Sequence, residues 1–230
     1  MLTAVEKIIT ALAFVVQVVP IGTNISLLRL LWVMVNGSFL ESRGAIHSAL
    51  AANDFADEEI RRSWSALRYG AWAIAELVSA WQVYVAATNE WRARHYEGYR
   101  VKSVDITGFW RPRLQGKVNQ HYAAIAQRAL PAMIFGVMIT SGEIKGKRLP
   151  LLHAIVRCQA ATSEAEFRVE LLKESRKSAR PDEITVVDAG FELSELHEAE
   201  VKRFVVRLAT NGTARTHQLP PSKGRGARPK

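Results

Sequence analysis

Two aspartates have the type and setting to do chemistry together. Asp105 sits in V-D-I, within a stretch that alternates apolar and polar residues, and Asp188 closes the apolar run of V-V-D-A-G-F. An acid at the polar position or the end of a strand reaches solvent while its neighbours hold the strand in a core. Two carboxylates brought side by side repel each other, and a divalent cation relieves that repulsion. Mg²⁺ prefers hard oxygen ligands and usually takes one or two carboxylates together with water and phosphate oxygens. A pair of such ions about 3.5–4 Å apart can activate water or a 3′-hydroxyl and stabilise the leaving oxygen at a phosphodiester. That arrangement needs a bridging acid and usually a third carboxylate. Asp105 and Asp188 are therefore the candidate catalytic residues and metal ligands, with Mg²⁺ or Mn²⁺ as cofactor.

Cations gather after the first acid. Arg111, Arg113 and Lys117 follow Asp105 closely and are candidates for phosphate contacts, with a solvated basic loop as the alternative. Arg203 and Arg207 flank a later apolar run at a spacing of four; one is expected to be structural and one to touch nucleic acid, and the sequence leaves open which. His121, Tyr122 and His153 have no acid at catalytic spacing and read as surface or satisfied core residues. Glu192 lies near Asp188 but is expected to open the following helix and point elsewhere. The single cysteine, Cys158, excludes an internal disulfide and a Cys-rich zinc site, and its apolar setting predicts a buried structural thiol.

The acids can act together only if the chain carries them to one place. Residues 1–95 read as helical: Leu27, Leu28, Leu31, Trp32 and Val35 recur at helical spacing, and Asn36-Gly37 signals a stop. Asp57-Glu58-Glu59 opens a further helix whose apolar stripe is Ile60, Trp64 and Leu67, with Arg61, Arg62 and Arg68 off it. An apolar helix over 71–85 follows, and most of the tryptophans are expected in the core. Strands are predicted over 99–106, 132–140 and 149–158, then a helix from the Ser163/Glu166 capping box to about Lys177. A strand over 183–187, a helix over 192–201 and a strand over 203–208 complete the order β-β-β-α-β-α-β. The fold class is α/β with a mixed sheet.

The chain has 230 residues and a formal charge of +9, and the charge is unevenly placed. Residues 201–230 hold eight Lys/Arg and no Asp/Glu, whereas the first 200 carry 23 basic and 22 acidic residues. A balanced body with a basic tail fits an anionic partner such as nucleic acid. The apolar run over 8–19 is shorter than the ~20 residues that span a bilayer, and the run over 25–35 carries Arg29, so both read as core helices with no membrane role.

The element order is that of an RNase H-like domain, in which the first and fourth strands are adjacent and parallel, so Asp105 and Asp188 would meet where the strand order reverses. The segments V-D-I-T-G-F-W-R-P-R (104–113), V-V-D-A-G-F (186–191) and R-F-V-V-R-L (203–208) resemble the catalytic domain of bacterial insertion-sequence transposases of the DDE superfamily. L-E-S-R-G-A (40–45) and R-R-S-W-S-A-L-R-Y-G-A-W (61–72) resemble the N-terminal helical region of the same proteins. The resemblance implies a helical region over 1–95 that binds DNA, a partial RNase H-like core over 96–210 and a basic flexible tail over 211–230. It makes Asp105 and Asp188 the first two acids of the triad, double-stranded DNA the partner, a homo-oligomer the assembly and the bacterial cytoplasm, at the nucleoid, the location. The family's third acid, a Glu beyond the fifth strand, has no counterpart, because no acid follows Glu200. The expectation is a C-terminally truncated transposase, inactive alone; the alternative is a non-catalytic DNA-binding regulator of a full-length transposase.

Overall fold

The computed structural model describes residues 3–110, 119–160 and 162–208. Its first part is helical: α1 (Ala4–Val16), α2 (Thr23–Val35), α3 (Ser38–Glu41), α4 (Ile46–Ala51), α5 (Asp57–Tyr69) and α6 (Ile74–Ala87). Local chemistry sets several of their ends. Thr3 and Glu6 form a reciprocal capping box at the start of α1, and Gly37, at φ 89°, takes the left-handed turn that ends α2. Val16, Val19, Leu27, Leu30, Val33, Ala49, Leu50 and Ile60 make one apolar core between these helices. Among the described residues no helix is long and apolar enough to cross a membrane.

The packing of α5 corrects the predicted stripe. Its buried face is Ile60, Ser63 and Ala66, while Trp64 is 50% and Leu67 39% exposed. Ser63 and Ala66 let α5 approach α2 closely, Ile60 fills the core beside them, and Trp64 and Leu67 are turned out. The tryptophans follow suit, since all six are half-buried or exposed.

From residue 91 the chain is mostly β-structure: β1 (Trp91–Ala93), β2 (His95–Tyr96), β3 (Tyr99–Trp110), β4 (Asn119–Ala123), β5 (Arg128–Thr140), β6 (Gly142–Ile144), β7 (Lys147–Arg148) and β8 (Leu151–Arg157). Then come α7 (Glu164–Lys177), β9 (Glu183–Val187), α8 (Leu193–Glu198) and β10 (Phe204–Val206). The main sheet runs β10-β9-β3-β5-β4, with β2 joined to β3 and β8 to β5. β3, β5 and β8 pair antiparallel, whereas β9 runs parallel to both β3 and β10. A small sheet of β1, β6 and β7 stands apart. The fold is thus mixed α/β with a mixed sheet, as expected. The helices end at Ala87, so β1 and β2 correct the expectation that 1–95 is helical throughout; β2, β4 and the small sheet are additions to the predicted order, and β10 is shorter than predicted.

Alternation along β3 divides the sheet into two faces. Val104 and Met138 pair across β3 and β5 and lie buried with Leu171 and Leu172 of α7. Gly136 occupies the tightest point of this face, where a Cβ would stand 2.6 Å from Cδ2 of Leu171. On the opposite face Asp105, Thr107 and Phe109 are exposed. The helical part is joined to the sheet through α6, whose Gln82 Nε2 donates to the carbonyls of Leu152 and His153 at 3.0 Å each.

Under the helix-covered face lies a buried charge. Lys102 is 1% exposed, and its Nζ stands 2.9 Å from Oε2 of Glu183. The ammonium also donates to the carbonyls of Ser175 and Ser178 (3.4 Å each) and to Oγ of Ser178 (3.2 Å), at the C-terminal end of α7. A cation there meets the negative end of the helix dipole, so one side chain ties α7 to β3 and β9. Lys102→Met leaves Glu183 buried without its cation and should destabilise the fold by about 3–5 kcal/mol. Adding Glu183→Gln should recover more than half of that loss, as read by urea denaturation; equal stability of Lys102→Met and the parent would contradict this role.

Candidate functional site

The ladder between β3 and β9 positions the two aspartates. Its pairs run from Arg100↔Glu183 to Ser103↔Val186, each 83 positions apart, and Asp105 and Asp188 differ by the same 83 positions. They therefore sit side by side just past the last rung, where adjacent parallel strands are about 4.8 Å apart. Both point away from α7, because their neighbours Val104 and Val187 fill the core. The two acids are brought together where the parallel ladder ends: Asp188 leaves the sheet at the end of β9, while Asp105 lies within β3, which runs on to Trp110 beside β5.

Each carboxylate is held by a backbone donor. Asp105 Oδ1 accepts from its neighbour Ile106 N–H at 2.8 Å. Asp188 Oδ1 accepts from Gly190 N–H at 2.9 Å, closing a tight turn that Phe191 anchors in the core. Burial pushes the Asp105 carboxyl above the ordinary carboxylate range; the Ile106 N–H opposes this, the Asp188 charge adds to it and His121 opposes it. Asp105 thus binds its proton more tightly, chiefly because it is partly buried and in smaller part because the Asp188 charge stands close by, and a cation that satisfied both acids would release that proton.

A neighbouring network was not legible in the sequence. His121 Nδ1 lies 2.8 Å from Oε2 of Glu164, whose Oε1 accepts from Arg168 at 3.0 Å. Arg168 in turn grips Glu195 through Nε at 2.9 and 3.0 Å, and Glu195 accepts the backbone N–H of Glu192 at 2.9 Å. Trp110 stacks on the imidazole, with ring centroids 5.6 Å apart. Gly108 makes room for the ring, since a Cβ there would come within 2.4 Å of His121 Cδ2. His121 does have an acid partner, 43 positions away at the start of α7. The one available signal was the Ser163/Glu166 capping box, which fixes where α7 begins and hence where Glu164 stands. Glu192 takes the helix-opening position expected of it, as the N-cap of α8.

The remaining candidates part company. Arg203 donates through Nη1 to the Pro181 carbonyl at 2.7 Å and lies over the Tyr99 ring, at the far end of β10 from the aspartates. Arg207 follows β10 at the near end, where its backbone N–H donates to the Val187 carbonyl at 3.2 Å, one residue from Asp188. Arg111, Arg113 and Lys117 lie outside the described residues. Cys158 is 3% exposed and its thiol is pushed up by burial, the setting of an inert structural cysteine. Among the described residues no group of three or more His, Cys, Asp or Glu side chains is arranged to hold a metal ion; Asp105 and Asp188 offer a two-carboxylate set. No protein-family model, curated protein or solved structure matches the chain.

A carboxyl whose folded-state affinity for a proton is raised opposes folding when ionised, and this penalty disappears as the pH falls below the carboxylate range. Asp105→Asn should therefore stabilise the protein at neutral pH by roughly 0.5 kcal/mol, a figure kept small by solvent screening. Thermal melts should show the gain at neutral pH and none at about pH 3; a gain that persisted in acid would have another cause.

Proposed function

We propose that this chain carries part of an RNase H-like core of the DDE transposase type, with Asp105 and Asp188 as two of its metal-binding acids. The observation that carries the reading is the shared offset of 83, which sets the two aspartates beside each other on the parallel pair β3 and β9. The strand order β8-β5-β3-β9-β10, antiparallel on one side of β3 and parallel on the other, supports it. So do the segments around Asp105, Asp188 and Arg203 that resemble those transposases.

The donor set fits one Mg²⁺ or Mn²⁺ held by Asp105 and Asp188, with water and phosphate oxygens completing the shell. Such an ion, when bound, supplies Lewis-acid activation of water or a 3′-hydroxyl at a phosphodiester. The chain's own part is to hold the carboxylates: Ile106 and Gly190 orient one oxygen of each, and Phe191 anchors the Asp188 turn. Double-stranded DNA is the proposed partner, contacted by Arg207, by Arg111, Arg113 and Lys117, and by the basic residues that follow. A homo-oligomer acting at the bacterial nucleoid belongs to the same reading.

Two measurements on the full chain test it. Mn²⁺ titration followed by electron paramagnetic resonance should find one site, weakened at least tenfold by Asp105→Asn or Asp188→Asn. Affinity for duplex DNA should fall by about two orders of magnitude or more between 50 and 300 mM salt, as counterion release requires. Binding of Mn²⁺ that ignores both substitutions would sink the metal assignment. DNA binding without metal binding would leave a non-catalytic DNA-binding module.

A further inference from the structure

At the opposite end of β3 and β9 from the aspartates, the helical part meets the sheet around a cavity of about 300 Å³. Arg100, His153, Arg180, Trp91 and Leu151 are among the residues that line it. Its volume lies at the lower end of the range for small-molecule sites, about 300–1,000 Å³. Cations and apolar groups share its walls, and most of the polar groups are already committed. Arg100 Nε is paired in charge with Oδ2 of Asp182 at 3.0 Å, though it makes no hydrogen bond among the described residues. Glu183 Oε2 is taken by Lys102 at 2.9 Å and by the Arg180 N–H at 2.9 Å. Gln82 spends its amide on the β8 carbonyls. The Arg180 guanidinium has neither a hydrogen-bond nor an ion-pair partner among the described residues.

His153 enters the cavity wall at an irregularity in the sheet. The β5–β8 register shifts there, from Met138↔Ala154 to Ile139↔Leu152, which leaves His153 as the extra residue. Its Nε2 lies 3.0 Å from Oγ of Ser178. That hydroxyl gives its one proton to the Ser175 carbonyl at 3.2 Å and accepts from Lys102 at 3.2 Å. With the hydroxyl proton placed on the Ser175 carbonyl, Nε2 donates to Oγ and Nδ1 is left to take a proton. Burial, Lys102 and Arg180 hold the imidazole below its ordinary value against the pull of Glu183. Arg100, Arg180 and Glu183 line the cavity, and Lys102 and Asp182 stand behind that wall in contact with Glu183 and Arg100, so the charges in and beside it sum to an excess of cation, with a histidine short of a proton.

We propose that this cavity is a binding site for a phosphate group, carried on a small organic molecule, with Arg180 as its principal contact and His153 taking up a proton as it binds. An exposed guanidinium whose donors meet no protein acceptor among the described residues is well suited to a phosphate. Trp91 and Leu151 give the organic part an apolar wall. The site is independent of the aspartate pair and of the function proposed for it.

The test is a proton-NMR titration of His153 in the full chain, its signal assigned by loss in His153→Asn, with adenosine monophosphate, inorganic phosphate and adenosine as probes. Adenosine monophosphate should raise the His153 pKa by about one unit and adenosine should leave it unmoved. Arg180→Ala and Arg180→Gln should each weaken adenosine monophosphate at least tenfold, and Asp105→Asn should not. Inorganic phosphate binding as tightly as the nucleotide would identify free phosphate as the source of the same chemistry. No response to either phosphate at ~10 mM, where even a weak site fills, or equal binding by both Arg180 variants, would overturn the site.

Discussion

The parallel pairing of β3 with β9 is the constraint from which the rest of the sheet domain follows. Only four rungs join the two strands, yet they fix which residues of each face α7 and which face away. A slip of one residue would exchange the faces, exposing Val187 and burying Asp188. Lys102 guards the register because its ammonium must meet Glu183 on β9 and the last carbonyls of α7 at once. A buried charge of this kind adds little net stability when paired and is costly when its partner moves. Its effect here is to penalise the wrong alignment.

Two ends of the same strand pair therefore have opposite electrostatic character. At the C-terminal end, Asp105 and Asp188 stand together, and negative charge accumulates near the chain turn. At the N-terminal end, Lys102, Arg100 and Arg180 gather around His153. Helix α7 runs between them, its capped N-terminus carrying Glu164 near His121 and its C-terminus resting on Lys102. Charge on the sheet is thus sorted along the strands, with α7 dipole-matched at its basic end.

Much of this was legible in the sequence because it is written in local patterns. The 183–187 strand, the Ser163 cap and the Asn36-Gly37 stop rest on short-range chemistry, and each appears where it was expected. The offset between the aspartates could be counted, but the parallel ladder that gives the count its meaning joins residues far apart in the chain. β4 escaped because N-Q-H-Y-A has no clean alternation and is a strand only through its pairing with β5. The stripe on α5 misled for a related reason: hydropathy favours Trp64 and Leu67, whereas close helix packing favours Ser63 and Ala66. His121 and Glu164 look unrelated until β4 and α7 are brought together.

Gln82 bears on how copies of this protein can meet. A strand at the edge of a sheet offers unpaired carbonyls and amides to any neighbour with a free edge of its own. On β8, the carbonyls of Leu152 and His153 are already engaged by the Gln82 amide, and α6 lies where an incoming strand would have to run. Sheet-to-sheet growth through β8 would first have to strip two hydrogen bonds and lift a helix off the domain. The side chain of one glutamine thus closes the β8 edge and leaves strand-to-strand association to the sheet's other edge strands, β10 and β4.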